Sequence, residues 1–296
     1  MENQMHFDKR FSTTRRLIRS TPIPGDSAAR RGGLKVKGYG KESPYDCALV
    51  TVAVVAADST PEKLENTLRS VWDQTYENIE LLVIATSDGP ILDILKKNED
   101  KIDYWILEPG LVPSEAMNKA IGLGSGDWIN FLRAGDTFFE KETIQNVFLT
   151  EYGRTDFIFG HTYYNSDRFI GTARAQGFNS LWKKMIFTHQ SLFARRDIFR
   201  QRQFNPRFKL CPEYELIVDF FMKGFNFFNS DTIIAACDPD AVETYGPRSV
   251  FEKWKVIKKH RSDFEFHQYY IRLFLKQMAR SLRIRKSKPS GSSKKS

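Results

Sequence analysis

Within residues 79–140 four segments follow one another: Ile79-Glu80-Leu81-Leu82-Val83-Ile84, Glu108-Pro109, Ser114-Glu115-Ala116-Met117-Asn118-Lys119, and Gly126-Asp127-Trp128-Ile129-Asn130-Phe131-Leu132-Arg133-Ala134-Gly135-Asp136. The first and last read as apolar strands, and the last ends on a single carboxylate. A run of β-branched and small apolar residues at Leu49–Ala57 reads as a strand buried on both faces. Thr60-Pro61-Glu62-Lys63 opens a helix, with Thr60 as cap, Pro61 at its first position, and Leu64, Leu68, Val71 and Trp72 on one face. Ile91–Leu95 heads a second helix, Tyr104–Leu107 is a short strand, and Ser114–Leu123 is a helix for which Ser114 is a candidate cap. Alternating strands and helices predict an α/β fold with a mostly parallel sheet flanked by helices. Ligands of such sheets lie outside the carboxyl ends of the strands, where Asp58, Asp88 and Asp136 fall.

Beyond residue 140 the pattern loosens. Phe157–Gly160, Thr162–Tyr164 and Phe187–Phe193 read as strands and Glu213–Lys223 as a helix. The 296 residues are 41% hydrophobic, with 24 Phe, enough for one sizeable α/β core. Charge is uneven: residues 1–42 hold 10 Lys/Arg against 4 Asp/Glu, residues 248–296 hold 15 against 3, and the middle holds 20 against 29. An acidic centre with basic ends predicts a tethered enzyme at least as strongly as a nucleic-acid binder, and no RNA- or DNA-binding motif is present. The expected division is a flexible basic arm over 1–44, the α/β domain over 45–245, a basic amphipathic helical tail over 246–285, and a disordered end over 286–296. Three scattered cysteines form no disulfide framework or metal motif, so a reducing compartment is expected. With no signal peptide and no apolar run approaching about 20 residues, a cytoplasmic protein is expected.

Leu68-Arg69-Ser70-Val71-Trp72-Asp73-Gln74-Thr75-Tyr76, Glu108-Pro109, Ala116-Met117-Asn118-Lys119, the strand from Gly126 to Leu132, His189-Gln190-Ser191 and Cys211-Pro212-Glu213-Tyr214-Glu215-Leu216 recur in this order. Together they resemble the family 2 glycosyltransferases of the GT-A fold, in the subgroup that decorates bacterial surface polysaccharides. The resemblance implies an inverting transfer of a sugar from a nucleoside-diphosphate sugar to a glycan or lipid-linked acceptor, with Mn²⁺ or Mg²⁺ as cofactor. It makes Asp136 the ligand of metal and diphosphate, which suits cations that take one or two carboxylates and keep several waters. Asp136 in Ala-Gly-Asp-Thr also fits an ordinary turn. Glu213 is implied as the base that takes the acceptor hydroxyl's proton. Glu215 would support it, although two Glu in a first helical turn also suit the helix dipole. Asp58, Asp88, Asn118, Lys119, Arg133 and His189 are expected around the nucleotide sugar, with Arg133 reaching a phosphate or pairing with Asp127. Trp182 fits either a sugar-stacking ring or the aromatic core.

The chain departs from the family where the acid after the second strand, which contacts the nucleobase, is Ala85. A catalytically inactive GT-A-like binding or scaffold protein is therefore the rival reading. In the tail, Ile271, Phe274 or Leu275, Met278 and Leu282 form an apolar stripe, and Arg272, Lys276, Arg280 and Arg283 line another face. That pattern suits an interfacial helix on an anionic membrane surface, and equally a helix packed on the core with a solvated basic face.

Overall fold

The computed structural model describes residues 7–23, 30–57, 59–149, 153–166, 169–238 and 246–287, with side chains as far as 280. Its N-terminal segment contributes α1 (Ser12–Arg15) and the short strands β1 (Ile18–Arg19), β2 (Arg31–Gly32) and β3 (Tyr39–Gly40). The α/β alternation follows as β4 (Val50–Ala56), α2 (Pro61–Trp72), β5 (Ile79–Ala85), α3 (Ile91–Lys97), β6 (Tyr104–Leu107), α4 (Pro113–Leu123) and β7 (Trp128–Arg133). Next come β8 (Thr137–Phe138), α5 (Thr143–Phe148), β9 (Phe157–Asn165), β10 (Ile170–Ala173) and β11 (Leu192–Arg195). The chain continues through α6 (Pro212–Met222), β12 (Phe227–Cys237), α7 (Pro247–Lys258) and α8 (Phe264–Ser287).

One sheet runs in the order β2-β6-β5-β4-β7-β11-β9-β12-β8, with β10 beside β9. Its centre is parallel: Val50 pairs with Ile79 on one side and Trp128 on the other. Every residue of β4 and β5 is buried, because helices cover both faces. Val50, Val52 and Val54 face α2, α3 and α5, while Ala53 and Val55 face α4, α6, α7 and α8. β11, antiparallel to both β7 and β9, turns the second half into a mixed sheet. The expected α/β architecture, a largely parallel central sheet flanked by helices with C-terminal helices added, is the one observed.

Local chemistry sets the helix starts. The Thr60 hydroxyl accepts from the Lys63 amide at 3.4 Å, and Pro61 opens α2. Val112, not Ser114, precedes α4, with Pro113 as its first residue, and the Glu115 carboxylate accepts from the Val112 amide at 3.2 Å. Ser114 is buried in the first turn. The expected strand Phe187–Phe193 is instead a 3₁₀ turn at His189–Ser191 followed by β11.

The arm over 1–44, expected to be flexible, is packed where it is described. Ser12 and Thr13 donate hydroxyls to the Val71 and Lys101 carbonyls at 2.8 and 2.7 Å. β2 pairs with β6 and covers that edge of the sheet. Lys35 pairs with the buried Glu80 at 2.6 Å and Lys41 with the buried Asp103 at 2.9 Å. These ammonium groups have carboxylate partners 45 and 62 positions away, which explains why polar composition alone suggested a loose arm. The tail is likewise part of the core at its start: Val256, Ile257, Phe266 and Tyr270 are buried, and the Tyr270 hydroxyl donates to the Trp182 carbonyl at 2.8 Å. Residues 286 and 287 belong to α8, and 288–296 lie outside the described residues.

Candidate active site

The carboxyl end of β7 is anchored from the neighbouring helix. The Thr67 hydroxyl of α2 accepts from the Gly135 amide at 2.8 Å and donates to the Asp136 carbonyl at 2.7 Å. Gly135 has φ +108°, a conformation side chains disfavour, and it lets the chain turn sharply between Arg133 and Asp136. The Asp136 side chain is buried and engaged. The Arg133 guanidinium donates to Oδ1 at 3.2 Å, and the Gln190 amide to Oδ2 at 2.8 Å.

Gln190 is held there by a buried polar residue inside a strand. Asn130 of β7 donates through Nδ2 to the Gln190 and Leu192 carbonyls at 2.8 and 2.9 Å. Hydroxyls fix the other side of the turn: Thr162 lies 2.7 Å from Thr188 and 2.8 Å from Ser191. In the first turn of α6, Tyr214 donates its hydroxyl to the Leu181 carbonyl at 2.6 Å, which orients the helix end. Glu215 is buried and paired with Arg202, which also meets Asp219 at 2.6 Å. Glu213 points the other way, with its Oε1 3.8 Å from His189 Nδ1.

These elements enclose a cavity of about 420 Å³. Val55, Met117, Phe131, Ile186 and Phe187 make its apolar wall, and Arg133, Arg174, Lys184, His189, Gln190, Glu213 and Lys253 its polar one. Burial lowers the His189 imidazole to about 4, with Asp136 opposing and Arg133 reinforcing the fall. The ring is thus neutral near pH 7, and its 3.8 Å approach to Glu213 is a polar contact, not an ion pair. Burial also raises Glu213 above the ordinary carboxylate value, against its own backbone hydrogen bond and the pull of Lys253 and Arg133. A desolvated carboxylate with enhanced proton affinity, next to a neutral imidazole, suits proton abstraction.

Arg133, His189 and Glu213 come together at the cavity, and Asp136 sits directly behind Arg133 and Gln190. The other sequence candidates are engaged elsewhere. Asn118 clamps the Phe204 backbone at 2.8 and 2.9 Å, and Lys119 pairs with Glu108. Asp88 pairs with Arg30 on the surface, and Asp58 lies outside the described residues. Trp182 packs edge-on against Tyr269, with ring centroids 5.2 Å apart. Gln190, Arg174, Lys184 and Lys253 escaped the sequence reading as site residues. Gln190 stands inside the His-Gln-Ser motif and was the one with a local signal.

Among the described residues no group of three His, Cys, Asp or Glu side chains is placed to enclose a metal ion. Asp136 fits a different arrangement. Arg133 and Gln190 each donate to one of its oxygens, the Cys237 thiol also bonds this carboxylate, and a carboxylate can accept further bonds. A hard cation that arrives with a diphosphate and its own waters needs only one or two protein carboxylates.

Residues 51–212 match the family described as Glycosyl transferase family 2. A PGL/p-HBAD biosynthesis glycosyltransferase of Mycobacterium tuberculosis is 28% identical over 163 residues, covering 52% of this chain and 62% of the relative. The chain thus spans less than two thirds of that relative's length. An uncharacterized glycosyltransferase of Rickettsia bellii is 37% identical over 103 residues, 33% of this chain and 14% of its own. Among solved structures, S. aureus TarS 1–349 in complex with UDP superposes with a TM-score of 0.56 at 14% identity, covering 77% of this chain and 72% of the other. Mannosyltransferase PcManGT from Pyrobaculum calidifontis, in complex with GDP-Man and Mn²⁺, gives 0.55 at 14% identity, with 82% and 76% covered. At that identity the likeness is one of fold. With more than half of its length matched by the family model, the chain belongs to glycosyl transferase family 2.

Proposed function

We propose that this chain transfers a sugar, with inversion, from a nucleoside-diphosphate donor to a hydroxyl of a glycan or lipid-linked acceptor in surface-polysaccharide assembly. The observation that carries the reading is the convergence of Arg133, His189 and a half-buried Glu213, its carboxyl raised by desolvation, on one cavity at the carboxyl end of β7. Glu213 takes the acceptor hydroxyl's proton as that oxygen attacks the anomeric carbon, and the bond from that carbon to the diphosphate breaks on the opposite face. The Arg133 guanidinium meets the charge that develops on the leaving diphosphate. Neutral His189 orients polar oxygens without competing for the proton. Asp136 would hold a Mn²⁺ or Mg²⁺, whose chemistry is charge neutralisation on the diphosphate. The Mn²⁺ and nucleotide sugar named with PcManGT, and the UDP named with TarS, support this choice of ligands.

A second reading rests on one observation. On the expected nucleobase side Ala85 is buried and Asp88 is tied to Arg30, which suits a binding or scaffold protein without turnover. Thermal melts with UDP, GDP and dTDP sugars, each with Mn²⁺, separate the two. Stabilisation and slow hydrolysis of one donor are expected. No shift with any donor would sink the enzyme reading.

A further inference from the structure

Four cationic side chains, Arg133, Arg174, Lys184 and Lys253, line the cavity, and Glu213 is the one carboxylate among its described lining residues. Arg133 stands at the diphosphate end, against Asp136. The other three belong to different elements. The Gln176 amide donates to the Ile186 carbonyl at 2.9 Å, so the segments bearing Arg174 and Lys184 run side by side. Both side chains are exposed at the cavity mouth, with no carboxylate within ion-pair distance among the described residues. Lys253 rises from α7, beyond the residues matched by the family model, and its residue is 6% exposed, with its ammonium 5.8 Å from the centre of the Tyr214 ring. It lines the same cavity as Glu213, the base to which the acceptor hydroxyl must come.

We propose that Arg174, Lys184 and Lys253 form a subsite for a phosphate group on the acceptor, so that the hydroxyl presented to Glu213 belongs to a phosphate-bearing molecule. An Arg fork with two ammonium groups matches a tetrahedral oxyanion, and enclosing walls strengthen the attraction. The subsite rests on the donor reading above, with the diphosphate end at Arg133 and Asp136.

The test uses the full chain saturated with the donor nucleoside diphosphate and Mn²⁺, so that the diphosphate end is occupied. Inorganic phosphate is titrated in by calorimetry. In a parallel arm, vesicles of phosphatidylcholine with and without phosphatidic acid replace it. Wild type is expected to bind one phosphate species, and Arg174→Gln/Lys184→Gln to bind it about tenfold or more weakly, the scale of a lost charge-assisted contact. Lys253→Gln should weaken it similarly, and the nucleotide affinity of the surface double variant should be unchanged. Dependence on these residues in the vesicle arm alone assigns the phosphate to a lipid headgroup, and dependence in both arms to any accessible phosphate. Equal binding by wild type and the double variant in both arms, or no binding by either in both arms, overturns the subsite. Absence of nucleotide binding instead removes the donor reading on which it rests.

Discussion

Glu213 shows how one side chain can serve chemistry against the interest of the fold. Its carboxyl is raised by burial, so in the folded chain ionisation is disfavoured relative to the unfolded chain. The sign follows: stability is lost as pH rises from the ordinary value near 4.5 through the raised one, and the charged form is a net burden at neutral pH. Glu213→Gln should therefore reduce turnover by about 10²–10⁴-fold, the usual contribution of a positioned base. It should leave the melting temperature at pH 7 unchanged or higher. A fall in melting temperature together with retained turnover would reject Glu213 as the base. In wild type the acid limb of kcat/KM should have its midpoint above 4.5, and since His189 lies at about 4 it stays neutral over that limb. At this scale the sequence was informative for residues inside ordered motifs, such as Glu213 and His189. It was uninformative for Asn118, whose amide turned out to clamp the Phe204 backbone, because motif spacing carries no record of side-chain direction.

The N-terminal segment is the element that sequence reading treated least well. Its small polar residues gave no periodic signal, and its two critical contacts are ion pairs with β5 and with the residue just before β6. Glu80 is fully buried. Burial pushes its pKa up, but Lys35, the Thr51 hydroxyl and the Ser125 amide together hold it below the usual carboxylate value. Removing one partner of such a pair costs about 3–5 kcal/mol, because a buried charge is left alone. Lys35→Met should therefore lower the urea-unfolding free energy by that amount, with partial recovery in Lys35→Met/Glu80→Met. A loss below about 1 kcal/mol would mean that the segment does not dock as described. Because the Glu80 value is depressed, its contribution is present above 4.5 and declines as pH falls through the lowered value, so the gap between wild type and Lys35→Met should narrow in acid. By contrast β4, β5 and β7 were readable because their apolar runs satisfy a sheet covered on both sides, and the breaks between them carry strong turn and cap residues.

Over the whole molecule, the charge asymmetry seen in the sequence resolves into two different structures. The basic N-terminal residues are in part spent on internal carboxylates. Of the C-terminal ones, Arg272, Lys276 and Arg280 face outward along α8, beside Ile271, Leu275 and Met278, which are 47%, 61% and 39% exposed. No described helix is long and apolar enough to cross a membrane. An outer stripe of this kind suits attachment to an anionic membrane surface. Ile271→Ser/Leu275→Ser/Met278→Ser should weaken binding to anionic vesicles at least about tenfold, given about 1.5–3 kcal/mol for each fully buried side chain, without altering the melting temperature. Unchanged binding would discard the stripe as an anchor. The placement of Tyr270 in the core, one residue before the stripe, could not be read from the helical pattern, since both faces of α8 carry apolar residues. The N-terminal brace has a kinetic corollary. Lys35 reaches the Leu123 carbonyl and the Ser125 hydroxyl, 88 and 90 positions later in the chain. During synthesis Lys35 must therefore wait for partners made later, and closing such distant loops is slow. Until then the outer margin of β6 is open to pairing with another chain, so docking of the N-terminal segment guards the nascent protein against aggregation.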